Sequence, residues 1–229
     1  MTSTEPQRLH PLAAAEAEAA EAPAQRRQLL RLVALVDQFR GEQGCAWYEA
    51  QTHQSLVKYL QEETAELIDA IESGTAADVR EELGDVLFQV LFHADIAGEF
   101  DLEGVSREQA EKLIRRNPHV FGPTPTRDID EIIRLWHEAK AVEKAERNSV
   151  LDGVAFGMPA LALAQKVIGK GQSVGVAAPA TESITEAELG DALLALAARA
   201  SASGLDAAAA LRGAVRRFAA DVRAAESRG

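Results

Sequence analysis

Apolar positions recur with a helical period along most of the chain. Leu29, Leu32, Val33, Val36 and Phe39 predict a helix over 26–40, stopped by Gly41. A loop over 44–52 leads to a second predicted helix from a Ser55 cap through residue 71, ended by Ser73-Gly74, and then to a third over about 75–98. The segments 106–116, capped by Ser106 and stopped by Pro118, and 127–147 add two more. Between 148 and 180 the pattern is broken by Gly153, Gly157, Pro159, Gly169, Gly171, Gly175 and Pro179. This stretch is expected to connect, with one short helix over 160–168. Helices over 185–203 and 205–226 complete the pattern. Ala, Leu and Glu dominate and β-branched runs are rare, so the expected class is an all-α helical bundle. The expected organisation is a tail over 1–24, a helical domain over 25–147, a connecting segment over 148–180 and a C-terminal part over 181–229.

Polar residues interrupt this pattern in two informative places. At about 100° per residue, Leu56, Tyr59, Leu60, Leu67 and Ala70 fall within about 60° of Glu63, which puts Glu63 on the face that should be buried. Glu66 lies on the edge of that face, and Glu62 is farther round. On the third helix Leu83, Val86, Leu87, Phe88, Val90, Leu91 and Phe92 encircle the axis, so it should be central. Its polar residues Glu82, Asp85, Gln89 and His93 nevertheless form one stripe. A short turn makes the two helices antiparallel, which can bring Glu63 and Glu66 opposite Glu82 and Asp85. Few Lys or Arg stand at i+3 or i+4 from these acids, so intrahelical ion pairs do not account for them. Four carboxylates facing one inter-helical space suit a hard divalent cation, Mg²⁺ above all with Mn²⁺ as a substitute, that keeps water for a phosphate partner.

Charge narrows the partners. There are 24 Lys+Arg against 36 Asp+Glu, a net charge of −12, which disfavours nucleic acid and anionic membrane surfaces as partners. The cations are locally grouped instead. Lys112, Arg115 and Arg116 cluster on the fourth helix, and Trp136 and Lys140 stand one turn apart on the fifth, where the indole could stack a base. One cysteine, Cys45, permits no internal disulfide, and no apolar run reaches the about 18 residues of a membrane span, so a cytoplasmic protein is expected. Two or three amphipathic helices would enclose the acids poorly, which favours a homodimer. Glu82-Leu83-Gly84-Asp85 is echoed by Glu188-Leu189-Gly190-Asp191, each followed thirteen residues after the Asp by a glycine, Gly98 or Gly204.

Several strings together carry a family resemblance. They are Cys45-Ala46-Trp47, Gln51-Thr52-His53-Gln54-Ser55-Leu56, Glu62-Glu63-x-x-Glu66, Glu81-Glu82-Leu83-Gly84-Asp85, Phe92-His93-Ala94, the run from Lys112 to Phe121, Trp136-x-x-x-Lys140 and Leu151-Asp152-Gly153. Over about 26–175 the chain resembles the MazG family of nucleoside triphosphate pyrophosphohydrolases. The resemblance implies an all-α, dimeric, Mg²⁺-dependent enzyme that converts NTP and dNTP to the monophosphate and pyrophosphate. It implies metal binding by Glu63, Glu66, Glu82 and Asp85. Lys112 and Arg116, with Arg115 beside them, would contact phosphates, and Trp136 and Lys140 would lie at the nucleotide. Attack by a metal-bound water at the α-phosphorus follows, with Glu62 orienting or deprotonating it. Segment 25–147 then becomes the catalytic domain and 181–229 a truncated, inactive second repeat. The family's usual Cys-Pro-Trp-Asp is here Cys45-Ala46-Trp47-Tyr48, and Asn117 stands where the family has His. Two alternatives remain open: a narrower pyrophosphohydrolase acting on dUTP, dCTP or phosphoribosyl-ATP, and a non-catalytic dimeric regulatory module with a vestigial metal site.

Overall fold

A computed structural model describes residues 24–41, 43–122, 125–143, 146–179 and 183–228; the tail expected over 1–24 lies, up to residue 23, outside them. All regular structure among the described residues is helical: α1 (Ala24–Arg40), α2 (Ala46–Glu49), α3 (His53–Ser73), α4 (Ala76–Ile96), α5 (Leu102–Arg116), α6 (Pro118–Phe121), α7 (Ile129–Glu143), α8 (Ala160–Gln172), α9 (Glu186–Ala202) and α10 (Ala207–Glu226). The chain divides into two compact units between Leu135 and Trp136, within α7.

The helix starts show why local reading misplaces caps. Thr52, not Ser55, caps α3: its hydroxyl accepts from the Ser55 N–H at 3.1 Å, while the Ser55 hydroxyl lies 2.9 Å from the Thr52 N–H and accepts from it. Ser55, the third helical residue, is the partner in a reciprocal capping box. Likewise Asp101 rather than Ser106 starts α5, its carboxylate accepting the Gly104 N–H at 2.8 Å. Pro118 does not simply stop the chain, because proline is tolerated at a first helical position, and it opens the single turn α6.

The first unit is built on the α3–α4 hairpin. Gly74 ends α3, its N–H donating to the Ala70 carbonyl at 2.9 Å. A Cβ there would stand 2.8 Å from that oxygen, so the tight turn requires glycine. Thr75 caps α4 at once, and Asp78 accepts from its N–H at 2.7 Å. α1 and α2 lie over this hairpin through Val36, Leu56, Leu91 and Phe92, with Leu32, Val33, Tyr59, Phe88, Ile96 and Leu102 packed around them. Tyr48, at the position where the family has a carboxylate, belongs to this apolar group. Its ring stacks on Phe39 at 4.6 Å and meets Phe92 at 5.2 Å.

The expectation that α4 is buried on nearly every side is not met in a single chain. Leu91, Phe92 and Ala94 are buried with Gln89, but Leu83, Leu87 and Val90 are exposed, as are Ile68 and Ile71 on α3. The helices of one chain cover only one flank of the hairpin.

The second unit has its own core. Leu151, Leu163, Ala164 and Val167 pack with Val215, Ala219 and Val222 of α10, and Val150, Val154, Phe156 and Met158 close around them. Residues of segment 148–180, expected to connect, supply one half of this core. Gly171 reflects close approach: a Cβ on it would stand 2.8 Å from the Val176 carbonyl and 3.0 Å from the Phe218 ring. By contrast α9 buries none of its residues. The echo of α4 also sits at a different place along its helix. Glu188 closes the cap of α9 on Thr185, the role Asp78 plays in α4, whereas Glu82 lies a turn further in.

Gly171→Ala should therefore destabilise the chain by about 1–3 kcal/mol through overpacking. Gly190→Ala, mid-helix with nothing within 4 Å of its Cβ, should stabilise it by about 0.4–1 kcal/mol. Urea denaturation followed by circular dichroism measures both.

Candidate functional site

The hairpin turn brings the acids together. In an antiparallel helix pair, residues equidistant from the turn face one another. Glu66 and Glu82 are equidistant from Gly74, as are Glu63 and Asp85. Carboxylate oxygens of Glu63, Glu66 and Glu82 lie within 4.8 Å of one another, and Glu66 and Glu82 line an open cavity of about 470 Å³ with Asp69, Gly74 and Asp78. Asp69 and Asp78 had no place in the sequence-based site; their position follows once the turn register is known.

The electrostatics of this cluster are unfavourable for the chain alone. The Glu63 carboxyl is held above its ordinary value, first by desolvation and then by the charges of Asp85, Glu66, Glu82 and Glu62. Glu82 is raised too, by desolvation and then by Glu66, Asp85, Glu81 and Asp78. The ion pairs made by described residues lie elsewhere, as in Arg40–Asp95 at 2.7 Å and Arg134–Glu131 at 2.6 Å. An oxygen-only donor set with uncompensated charge fits a hard divalent cation. Asp85 is half-buried and stands outside the trio that shares 4.8 Å, although among the neighbouring charges it acts most strongly on Glu63. Glu62 is exposed beside them.

Two histidines continue the polar stripe away from the acids. His53, the first residue of α3, and His93, in the last turn of α4, are equidistant from Ser73. Their rings are parallel within 2°, and their Nδ1 atoms are 2.8 Å apart. One Nδ1 must carry a hydrogen and the other accept it, so the pair is complete with both rings neutral. His93 is held below the ordinary histidine value by burial and then by His53. Each histidine alone is uninformative in sequence; their shared distance from the turn was the available signal. Gln89, one turn before His93, is buried, and its side-chain carbonyl has no partner among the described residues.

The basic residues occupy other surfaces. Lys112 and Arg115 line a cavity of about 470 Å³ along α5 with Gln109, Glu108 and Glu111, and Lys112 lies 3.4 Å from the Gln109 side-chain oxygen. Arg116 is half-buried and does not line that cavity. In the second unit the Lys140 ammonium stands 3.8 Å from the centre of the Trp136 ring.

Two consequences are measurable. Because the Glu63 carboxyl is raised in the folded state, repulsion is fully felt above its folded value and relieved as pH falls through it. In metal-free buffer Glu63→Gln should melt higher than the wild type at pH 7, with the advantage disappearing toward pH 4, and it should lose the melting-temperature gain that Mg²⁺ or Mn²⁺ confers. His93 has the opposite linkage: the unfolded chain takes up its proton first, so stability should fall as pH drops below about 6.5. His93→Gln should flatten that part of the melting-temperature profile.

Comparison with known proteins agrees with this geometry. Residues 51–121, which contain α3 and α4 with the acid cluster, match the MazG nucleotide pyrophosphohydrolase domain. An uncharacterized 26.1 kDa protein in the blaB 3'region of Streptomyces cacaoi is 42% identical over 204 residues, 87% of this chain and 83% of that one. The nucleoside triphosphate pyrophosphohydrolase/pyrophosphatase MazG of Thermotoga maritima is 43% identical over 148 residues, 63% of this chain and 56% of its own length. The nucleoside triphosphate pyrophosphohydrolase of Mycobacterium tuberculosis is 45% identical over 156 residues, 66% of this chain and 47% of its own length. The chain thus spans about half the length of the relatives whose names carry an activity. Among its described residues, no helix is long and apolar enough to cross a membrane.

Proposed function

The chain belongs to the MazG family, and from that premise we propose that it is a Mg²⁺-dependent nucleoside triphosphate pyrophosphohydrolase, acting in the cytoplasm as a homodimer to clear NTP and dNTP from the nucleotide pool. The observation that carries this reading is the convergence of Glu63, Glu66 and Glu82 within 4.8 Å, with the carboxyls of Glu63 and Glu82 raised by desolvation and mutual repulsion. The cluster sits on two helices joined by a rigid, doubly capped turn, the kind of support that holds ligands in place.

In this reading Glu63, Glu66, Glu82 and Asp85 hold the metal. When bound, a divalent ion supplies charge neutralisation on phosphate oxygens and a water of lowered pKa. Lys112, Arg115 and Arg116 draw in and steady the polyphosphate, and Trp136 with Lys140 receives the nucleoside end. Glu62, exposed and without a role in packing, accepts a proton as water attacks the α-phosphorus. The bond from the α-phosphorus to the bridging oxygen breaks, and pyrophosphate leaves with that oxygen. The C-terminal echo lacks a counterpart to the α3 carboxylates, and Glu188 is already engaged by Thr185, which supports an inactive second repeat. Dimer formation is supported by the exposed apolar positions of the hairpin, Ile68, Ile71, Leu83, Leu87 and Val90.

Purified protein with Mg²⁺ and a panel of NTPs and dNTPs should yield the monophosphate and pyrophosphate in equal amounts, with EDTA abolishing turnover. Glu63→Gln and Glu82→Gln should each lower kcat by about two orders of magnitude or more, as loss of preorganised charge does. Orthophosphate with a diphosphate as products would refute attack at the α-phosphorus. Full turnover by Glu63→Gln would refute the metal assignment.

A further inference from the structure

Among the described residues, Gln89 is the single polar or charged residue that is buried, at 4% exposed. Its side-chain carbonyl is closed off from solvent and accepts no hydrogen bond from any of them. Burying an amide oxygen without a donor is costly. A core otherwise made of Val36, Leu56, Leu91 and Phe92 would hold an apolar residue there more stably. The proposed function leaves Gln89 without a role.

Its place on α4 shows what is missing. At about 100° per residue Gln89 falls within about 40° of Glu82, Asp85 and His93, in the middle of the polar stripe. Asp85 stands one turn before it and His93 one turn after it. Side chains of a helix lean toward its N-terminus, so Gln89 leans toward Asp85 and the acid cluster. None of these neighbours supplies the donor. The ionised carboxylates of Glu82 and Asp85 only accept hydrogen bonds. His93 has its Nδ1 on His53, and its Nε2 is buried with no partner among the described residues. The Gln89 carbonyl thus belongs to a site built of acceptors, and such a site takes donors from outside.

A hard divalent cation brings such donors with it. It keeps several waters when carboxylates bind it, and the hydrogens of those waters need acceptors around the ligands. Asp85 already stands outside the trio whose oxygens lie within 4.8 Å of one another, and Gln89 is one turn farther from the hairpin turn. That places Gln89 behind the ligands, at the reach of a bound water. We propose that Gln89 is a positioning residue of the metal site: its side-chain carbonyl accepts a hydrogen bond from a water carried by the cation and fixes where that water stands. This inference rests on the proposed metal assignment and adds an outer partner to it.

The test uses the full chain and Mn²⁺ alone, without nucleotide, with free Mn²⁺ read by electron paramagnetic resonance. Gln89→Met and Gln89→Leu remove the carbonyl with little change in volume, and Gln89→Glu keeps an acceptor at the same reach. In metal-free buffer the Met and Leu variants should melt about 2–4 °C above the parent, because an unpaired buried carbonyl is gone. Their Mn²⁺ affinity should nevertheless fall about tenfold or more, as loss of an outer partner of a metal site does. Gln89→Glu should bind Mn²⁺ at least as tightly as the parent. A gain in stability joined to a loss of metal affinity is a combination that a packing role does not produce. Unchanged Mn²⁺ affinity in both apolar variants would overturn the proposal, as would weaker binding by Gln89→Glu than by Gln89→Met. Melting of both apolar variants below the parent would overturn it too, since the carbonyl would then be satisfied in the metal-free chain. Glu63→Gln separates the two levels of the argument. If it loses Mn²⁺ while the apolar Gln89 variants keep it, the role of Gln89 fails alone. If it binds Mn²⁺ as the parent does, the metal assignment fails as well.

Discussion

The α3–Gly74–Thr75–α4 turn is the constraint on which the first unit depends. It allows almost no slack: Gly74 closes one helix while Thr75 caps the next, and Asp78 locks the cap. Each such cap is worth only about 0.5–2 kcal/mol, but its structural effect is larger than its energy. It sets the register of two 21-residue helices, so it decides which side chains meet along the whole hairpin. Insertion of one residue in this turn would rotate one helix by about 100° relative to the other and separate Glu66 from Glu82.

That register concentrates a cost. Glu63 and Glu82 sit where burial and neighbouring carboxylates both disfavour ionisation. A protein selected for stability alone would not keep them there, since one cation or one apolar replacement would relieve the repulsion. Further along the same helices the polar stripe carries no carboxylate: the Nδ1 atoms of His53 and His93 lie 2.8 Å apart, and burial holds His93 below the ordinary histidine value. The hairpin therefore changes character along its length, from a carboxylate cluster by the turn to a hydrogen-bonded histidine pair at the far end.

The second unit shows the complementary arrangement. In a chain of net charge −12, Lys140, Arg147 and Lys170 share one cavity whose lining among the described residues holds no carboxylate. The turn over 147–154 is built around one of them, with backbone carbonyl and glycine both shaped to the guanidinium. The Leu151, Leu163 and Val167 core with α10 supplies the rigid base for that turn.

Much of this was legible in the sequence. Helical periodicity located the helices of both units, because amphipathic spacing is a local property and survives whatever packs against it. The acid cluster was legible too, since carboxylates on an apolar face with few nearby Lys or Arg are a conflict that an external cation resolves. Local reading failed where two candidates compete for one role. Ser55 and Thr52 both suit a cap, and only the geometry of the reciprocal bond separates them. Glycine also has two meanings: in segment 148–180 it suggested a connector, but Gly171 is small because Phe218 and the Val176 carbonyl lie against it. Tyr48 looked like a lost carboxylate and proved to be an aromatic packing residue. Sequence by itself determined helix class, the acid pattern and the family. Which histidine meets which, how far α4 is covered and where three distant cations converge were decided by tertiary structure, because these depend on distances between segments that no local pattern encodes.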